Sequence, residues 1–154
     1  MQIIKDKQFG GERPLFASHD LHIDNVLITE GESAIKECSN IKATNCRFEG
    51  NYPFWHVHGF EISNCYFAVG GRSALWYCDN LKMNDTVIDA PKMFREMSHM
   101  QLKNITMNDA DEVFWKCDDI RIENIRMHGG TYPFMFSHDI YVDGMESDSK
   151  YVFQ

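Results

Sequence analysis

The chain has 154 residues, with 15 Lys and Arg against 23 Asp and Glu, a net charge of −8. That length is one domain. The acidic balance excludes a nucleic-acid binder, which needs a basic footprint on phosphates, and it disfavours anionic membrane surfaces for the same reason. Apolar residues make up 44% of the chain and charged residues 25%, the balance of a folded globular protein. No apolar run reaches the ~18 residues of a membrane helix. The opening MQIIKDKQFGGE has no long apolar stretch of a signal peptide, so a cytoplasmic protein is expected.

Taken in chain order, the first twelve residues read as an N-terminal cap segment, and residues 13–154 as one repetitive domain. Leu21-His22-Ile23-Asp24-Asn25-Val26 recurs with starts at 41, 60, 81, 100, 120 and 140, so the spacings are 20, 19, 21, 19, 20 and 20. Apolar and polar residues alternate within each copy, which is the period of a half-buried strand. An Asn, Asp or Gly follows at 25, 45, 64, 85, 104, 124 and 144, residue types that tolerate a left-handed corner. Apolar alternation then resumes at Phe48, Phe67, Ile88, Met107 and Met127. A further apolar strand precedes each copy, at Leu15, Ile35, Phe54, Leu75, Phe94, Phe114 and Phe134.

Three short strands cannot bury their own apolar face, whereas stacked copies can, at about 4.8 Å per rung. The expected fold is all-β: a right-handed parallel β-helix of about seven rungs, 19–21 residues per rung. Helical repeats need a period of 3.6, and leucine-rich and hexapeptide repeats need frames that are absent here. The corner Asn column reads as amides hydrogen-bonding along the stack rather than as a calcium rung.

Five cysteines are present. Cys38, Cys78 and Cys117 share one inward slot, and Cys38 and Cys78 are two rungs apart, beyond disulfide reach. Cys46 and Cys65 lie on adjacent rungs, within reach of a disulfide, but read in preference as stacked, buried thiols. No zinc spacing occurs, so neither a metal nor a cofactor is expected.

Two outward slots carry the candidate chemistry. The first holds Phe16, Lys36, Trp55, Trp76, Arg95, Trp115 and Met135; the second holds Ala17, Glu37, His56, Tyr77, Glu96, Lys116 and Phe136. All three Trp fall in the first slot, and at least one slot must face solvent. With Arg72 and Glu112 beside them, these residues form an aromatic and charged stripe along the axis. In one reading, Lys36, Glu37, Trp55, His56, Arg72, Trp76, Arg95, Glu96, Glu112 and Trp115 line a groove for an extended saccharide. In the other, the indoles fold over the strands and the charges pair across rungs. Glu37 and Glu96 are too far apart for glycoside hydrolysis; Glu96 and Glu112 are about one rung apart and fit the separation. A lyase-like cation cluster would draw on Lys36, Arg72 and Arg95. His19, His58 and His138 share an exterior slot and read as solvated.

The runs Gly11-Glu12-Arg13-Pro14-Leu15-Phe16, Tyr52-Pro53-Phe54-Trp55, Arg72-Ser73-Ala74-Leu75-Trp76-Tyr77 and Ala90-Pro91-Lys92-Met93-Phe94-Arg95 resemble an uncharacterised bacterial family. It is a domain of unknown function with a pectin-lyase-like right-handed β-helix. The resemblance spans the chain and implies the fold, with no reaction and no catalytic residue carried over. It also implies a longer solenoid, whereas Tyr151-Val152-Phe153-Gln154 falls in mid-rung with no polar cap. A bare apolar end is an edge hazard. The expectation is therefore a covering partner, such as a second copy through the C-terminal rung, or a truncated product. The alternative to saccharide binding is a non-catalytic structural or interaction solenoid.

Overall fold

The computed structural model describes residues 1–12, 15, 17–32, 34–71 and 74–153. The first four turns carry β1 (Gln2–Lys5), β2 (Gln8–Glu12), β3 (His19–Asp24), β4 (Leu27–Glu32), β5 (Ile35–Lys36), β6 (Ser39–Thr44), β7 (Arg47–Phe48), β8 (Phe54–Trp55), β9 (His58–Ser63) and β10 (Tyr66–Phe67). The later turns carry β11 (Leu75–Trp76), β12 (Asp79–Ile88), β13 (Phe94–Arg95), β14 (Ser98–Met107), β15 (Phe114–Trp115), β16 (Asp118–Met127) and β17 (His138–Ser147). All named pairings are parallel. The chain is an all-β parallel solenoid of about seven turns. Among the described residues no helix is long and apolar enough to cross a membrane.

The repeat register read from sequence is the pairing register. Leu21 stands opposite Ile41, Ile41 opposite Phe60, Phe60 opposite Leu81, and so on to Ile140. The expected cap segment is itself part of the ladder: Gln2, Ile3, Ile4 and Lys5 pair with Leu21 to Asp24. The reason is that Ile4 and Phe9 repeat the inward positions of the later turns and pack, partly buried, on the core. In the last turns two expected strands fuse into single ten-residue strands, because pairing with an adjacent long strand continues on both sides of the corner.

That corner is left-handed, as the residue types predict: Asn25, Asn45, Asn64, Asp85, Asn104 and Asn124 have φ between 50° and 60°. Their side chains bond along the axis. Asn64 Nδ2 donates to Asn45 Oδ1 at 2.7 Å, and Asn124 Nδ2 to Asn104 Oδ1 at 2.9 Å. The ladder offsets the strain of the left-handed backbone, of the order of 1–3 kcal/mol per residue.

Inside, like side chains stack. Phe48 lies 4.8 Å from Phe67, Phe94 4.8 Å from Phe114, and Phe114 4.8 Å from Phe134. All five cysteines are buried and free. Cys38, Cys78 and Cys117 fall on one inward column, and the Cys46 amide donates to Cys65 Sγ at 3.4 Å. Burial pushes the Cys78 and Cys117 thiols up to about 12, so they remain protonated and act as small apolar groups.

Candidate functional site

The stripe is built on the five-stranded sheet of two-residue strands, ordered β15-β13-β11-β8-β5. Its register stacks Lys36 on Trp55, Trp55 on Trp76, Trp76 on Arg95, and Arg95 on Trp115. Each preceding residue (Ile35, Phe54, Leu75, Phe94, Phe114) is wholly buried. Each following residue lies in a second left-handed corner: Glu37, His56, Tyr77, Glu96 and Lys116 have φ between 49° and 57°. A strand that alternated normally would turn one of the two slots inward. The left-handed residue interrupts that alternation, so Trp55 and His56 both point out, as do Trp76 and Tyr77. This corner is not legible in the sequence, because Glu, His, Tyr and Lys do not announce a positive φ as Asn and Gly do.

The aromatic groups converge on the turns of β8 and β11. Trp55 and Trp76 have ring centroids 5.2 Å apart, His56 stacks on Tyr77 at 5.1 Å, and Trp76 on Tyr77 at 5.4 Å. Tyr52, outside the two slots of the expected stripe, meets Trp55 edge-on at 5.6 Å and Trp76 at 6.1 Å. It lies three positions before Trp55 in the repeat frame, in the column that holds Lys92, Glu112 and Tyr132. Extending the frame upstream would have found it. Lys36 Nζ lies 5.6 Å from the Trp55 ring centre, extending the patch by one cation.

A second cluster follows. The Arg95 guanidinium carbon is 5.1 Å and Lys116 Nζ 4.7 Å from the Trp115 ring centre, contacts worth about 0.5–2 kcal/mol each. Arg95 is expected as a solvent-facing cation but is only 7% exposed, because the register places it between two indoles. Glu96 joins the clusters: Trp76 Nε1 donates to Glu96 Oε2 at 3.1 Å. That hydrogen bond, the Tyr77 hydroxyl and the nearby Lys116 charge hold the Glu96 carboxyl below its usual range, while the hydrogen bond between Tyr77 and Glu96 raises Tyr77. Glu112 pairs with Lys92 at 3.6 Å. Glu96 thus meets Trp76, and Glu112 meets Lys92, each across one turn. Glu37 lies exposed on the corner below Trp55. Arg72 lies outside the described residues.

Among the described residues no group of three or more His, Cys, Asp or Glu is arranged to hold a metal ion. The histidines of the next corner pair with carboxylates instead: His58 Nδ1 with Asp79 at 2.9 Å and His99 Nδ1 with Asp119 at 2.8 Å. The hydrogen bond to Asp119 raises His99 and lowers Asp119. A raised histidine contributes stability that is complete below its unfolded value of about 6.5 and is lost as pH rises through the folded value. A lowered aspartate contributes stability present above its unfolded value and lost towards acid. His99→Gln is therefore expected to lower the urea midpoint at pH 6 and leave it nearly unchanged at pH 9. Equal losses at both pH values would remove the ion pair as the cause.

A stacked parallel solenoid with an aromatic and charged stripe on one sheet defines the class of protein. The family described as "Protein of unknown function (DUF3737)" matches residues 2–154, and the chain belongs to it. No curated protein matches the chain. Among solved structures, QnrB1 (R167E, trypsin-treated), a plasmid-mediated fluoroquinolone resistance protein, is similar at 10% identity and a TM-score of 0.27, covering 92% of this chain and 91% of that one. That likeness is too distant to bear on function.

Proposed function

We propose that the protein is a non-catalytic binding solenoid that takes an extended saccharide along the aromatic stripe. The observation that carries this reading is the outward cluster of Tyr52, Trp55, His56, Trp76 and Tyr77, half-buried or exposed on the side of the solenoid. Rings already locked by mutual stacking lose little freedom when a ligand docks. Sugars pack on aromatic rings through their C–H faces, while Lys36, Glu37 and Glu96 offer hydroxyl partners at the rim. A repeat of about 4.8 Å per rung supports an extended ligand running along the axis.

Binding is favoured over hydrolysis by the carboxylates. A glycosidase needs one protonated carboxyl as acid, whereas Trp76 and Tyr77 hold Glu96 ionised and Lys92 engages Glu112. The pectin-lyase-like kinship, the right-handed coiling and a cytoplasmic location belong to the same proposal. Five free, buried thiols support a reducing compartment.

Titrating the intrinsic Trp fluorescence with neutral and acidic oligosaccharides tests the reading. A saturable shift for at least one chain type is expected, and Trp76→Ala should weaken it about tenfold, as a lost stacking contact of ~1–3 kcal/mol requires. A flat response across the panel, from protein with an unaltered circular-dichroism spectrum, would end the saccharide reading.

A further inference from the structure

We infer that the outer face of β12, β14 and β16 carries a binding site for a phosphate monoester of a small polyhydroxy compound, held by Lys82, Lys103 and Arg121. This site is independent of the saccharide reading, because it lies on the larger sheet and the aromatic stripe on the five-stranded one. Three observations carry it.

The register brings the three cations together. Lys82 stands opposite Gln101, and Gln101 opposite Arg121, on three successive turns. At about 4.8 Å per rung, Lys82 and Arg121 flank Gln101 from either side. Lys103 lies two residues beyond Gln101 on β14, on the same outward face. All four are exposed, since alternation gives the inward positions to Met83, Leu102 and Ile122. The Gln101 amide thus sits within a triangle of positive charge, on a chain whose net charge is −8.

The same cations line a hollow of about 460 Å³, together with Asn84 and Gln101. Among the described residues that line it, Glu123 is the one carboxylate. A second hollow of about 310 Å³ shares Lys82, Gln101 and Arg121 and adds Asn80. That size suits a small molecule rather than a bare ion. The Lys82 and Lys103 side chains hold no ion pair, hydrogen bond or ring contact among the described residues. Their charge is therefore available to a ligand.

The third observation is a guanidinium fixed in advance. Arg121 Nε donates to Asp119 Oδ1 at 3.2 Å, and His99 Nδ1 bonds the other oxygen, Asp119 Oδ2, at 2.8 Å. The Arg121 guanidinium carbon also lies 5.9 Å from the Tyr141 ring centre. A side chain already held on one edge loses less freedom on binding. Its terminal nitrogens remain to grip two oxygens of a phosphoryl group. Lys82 and Lys103 then meet the second negative charge as compact ammonium groups. A lone carboxylate has one charge and two oxygens, and would leave cations unanswered. The amides of Asn80, Asn84 and Gln101 supply donors and acceptors for the hydroxyls of the esterified compound.

Calorimetric titration of the full chain with ribose 5-phosphate tests this, with malonate as a dicarboxylate control. Saturable binding of ribose 5-phosphate is expected, about fivefold or more tighter than malonate. Lys103→Gln should weaken it about tenfold, as the loss of a charge-assisted contact requires. That variant breaks no side-chain contact among the described residues, so it is informative even though Arg121→Gln, expected to cost as much, also releases Asp119. Lys42→Gln removes the same charge from the column of Lys82, two turns away, and should change the affinity less than about twofold, because solvent and salt screen it. Trp76→Ala should leave the binding intact. No saturable heat, malonate bound as tightly, Lys42→Gln as damaging as Lys103→Gln, or binding lost in Trp76→Ala would each overturn the inference.

Discussion

Phe114→Ala is expected to cost about 3–5 kcal/mol of unfolding free energy. Phe114 is wholly buried and sits between Phe94 and Phe134, with both centroids at 4.8 Å and the rings within 10° of parallel. The loss should fall at the upper end of that range. A cavity is cheapest when its walls can collapse, but here hydrogen-bonded turns on both sides fix the walls: the Phe114 amide donates to Pro133 O at 2.7 Å, and the Phe94 amide to Val113 O at 2.8 Å. Phe153 provides the control. It continues the same stack at 5.4 Å and 14° but is 65% exposed, so Phe153→Ala should cost well under ~1.5 kcal/mol. Urea unfolding followed by circular dichroism measures both variants. Equal losses would mean that stacking, not burial, sets the energy of the ladder.

Gly130→Ala is expected to cost about 3 kcal/mol, the second-largest effect. Gly129 and Gly130 both have positive φ, 69° and 70°, so an added methyl group strains the backbone by about 1 kcal/mol at either position. Only at Gly130 does it also collide with the turn below, 2.3 Å from Asp111 N and 2.5 Å from Asp111 Cα. At Gly129 nothing lies within 4 Å. Backbone cannot step aside as a flexible side chain can, so Gly130→Ala must separate two turns. The difference between the two Ala variants in thermal or urea melts isolates that close approach; if they melt alike, the steric argument fails.

Much of the molecule could be read from the chain alone, and its parts show why. The Leu21-to-Ile140 columns are legible because period-2 alternation and a ~20-residue recurrence are both properties of order along the sequence. The Asn corner is legible because few residue types accept a positive φ. The Cys46 and Cys65 neighbours follow from the same frame. The stripe was half legible: its members fall in columns, so Trp55, Trp76, Arg95 and Trp115 were found together. What each column does was not. Tyr52 entered the patch, and Arg95 sank to 7% exposure between two indoles.

The amino-acid order by itself therefore determined the solenoid, its register and the membership of each column, because identical turns must stack like on like to bury their apolar faces. Only the tertiary structure decided where the columns point and whom they meet. The left-handed residues at His56, Tyr77 and Glu96 put two successive slots outside. The rung spacing then brought rings and charges from separate turns into contact, so that Glu96 answers to Trp76 and Glu112 to Lys92. Corner geometry and cross-turn distances depend on backbone dihedrals that Glu, His and Tyr do not encode in their type, so they emerge only when the turns are stacked.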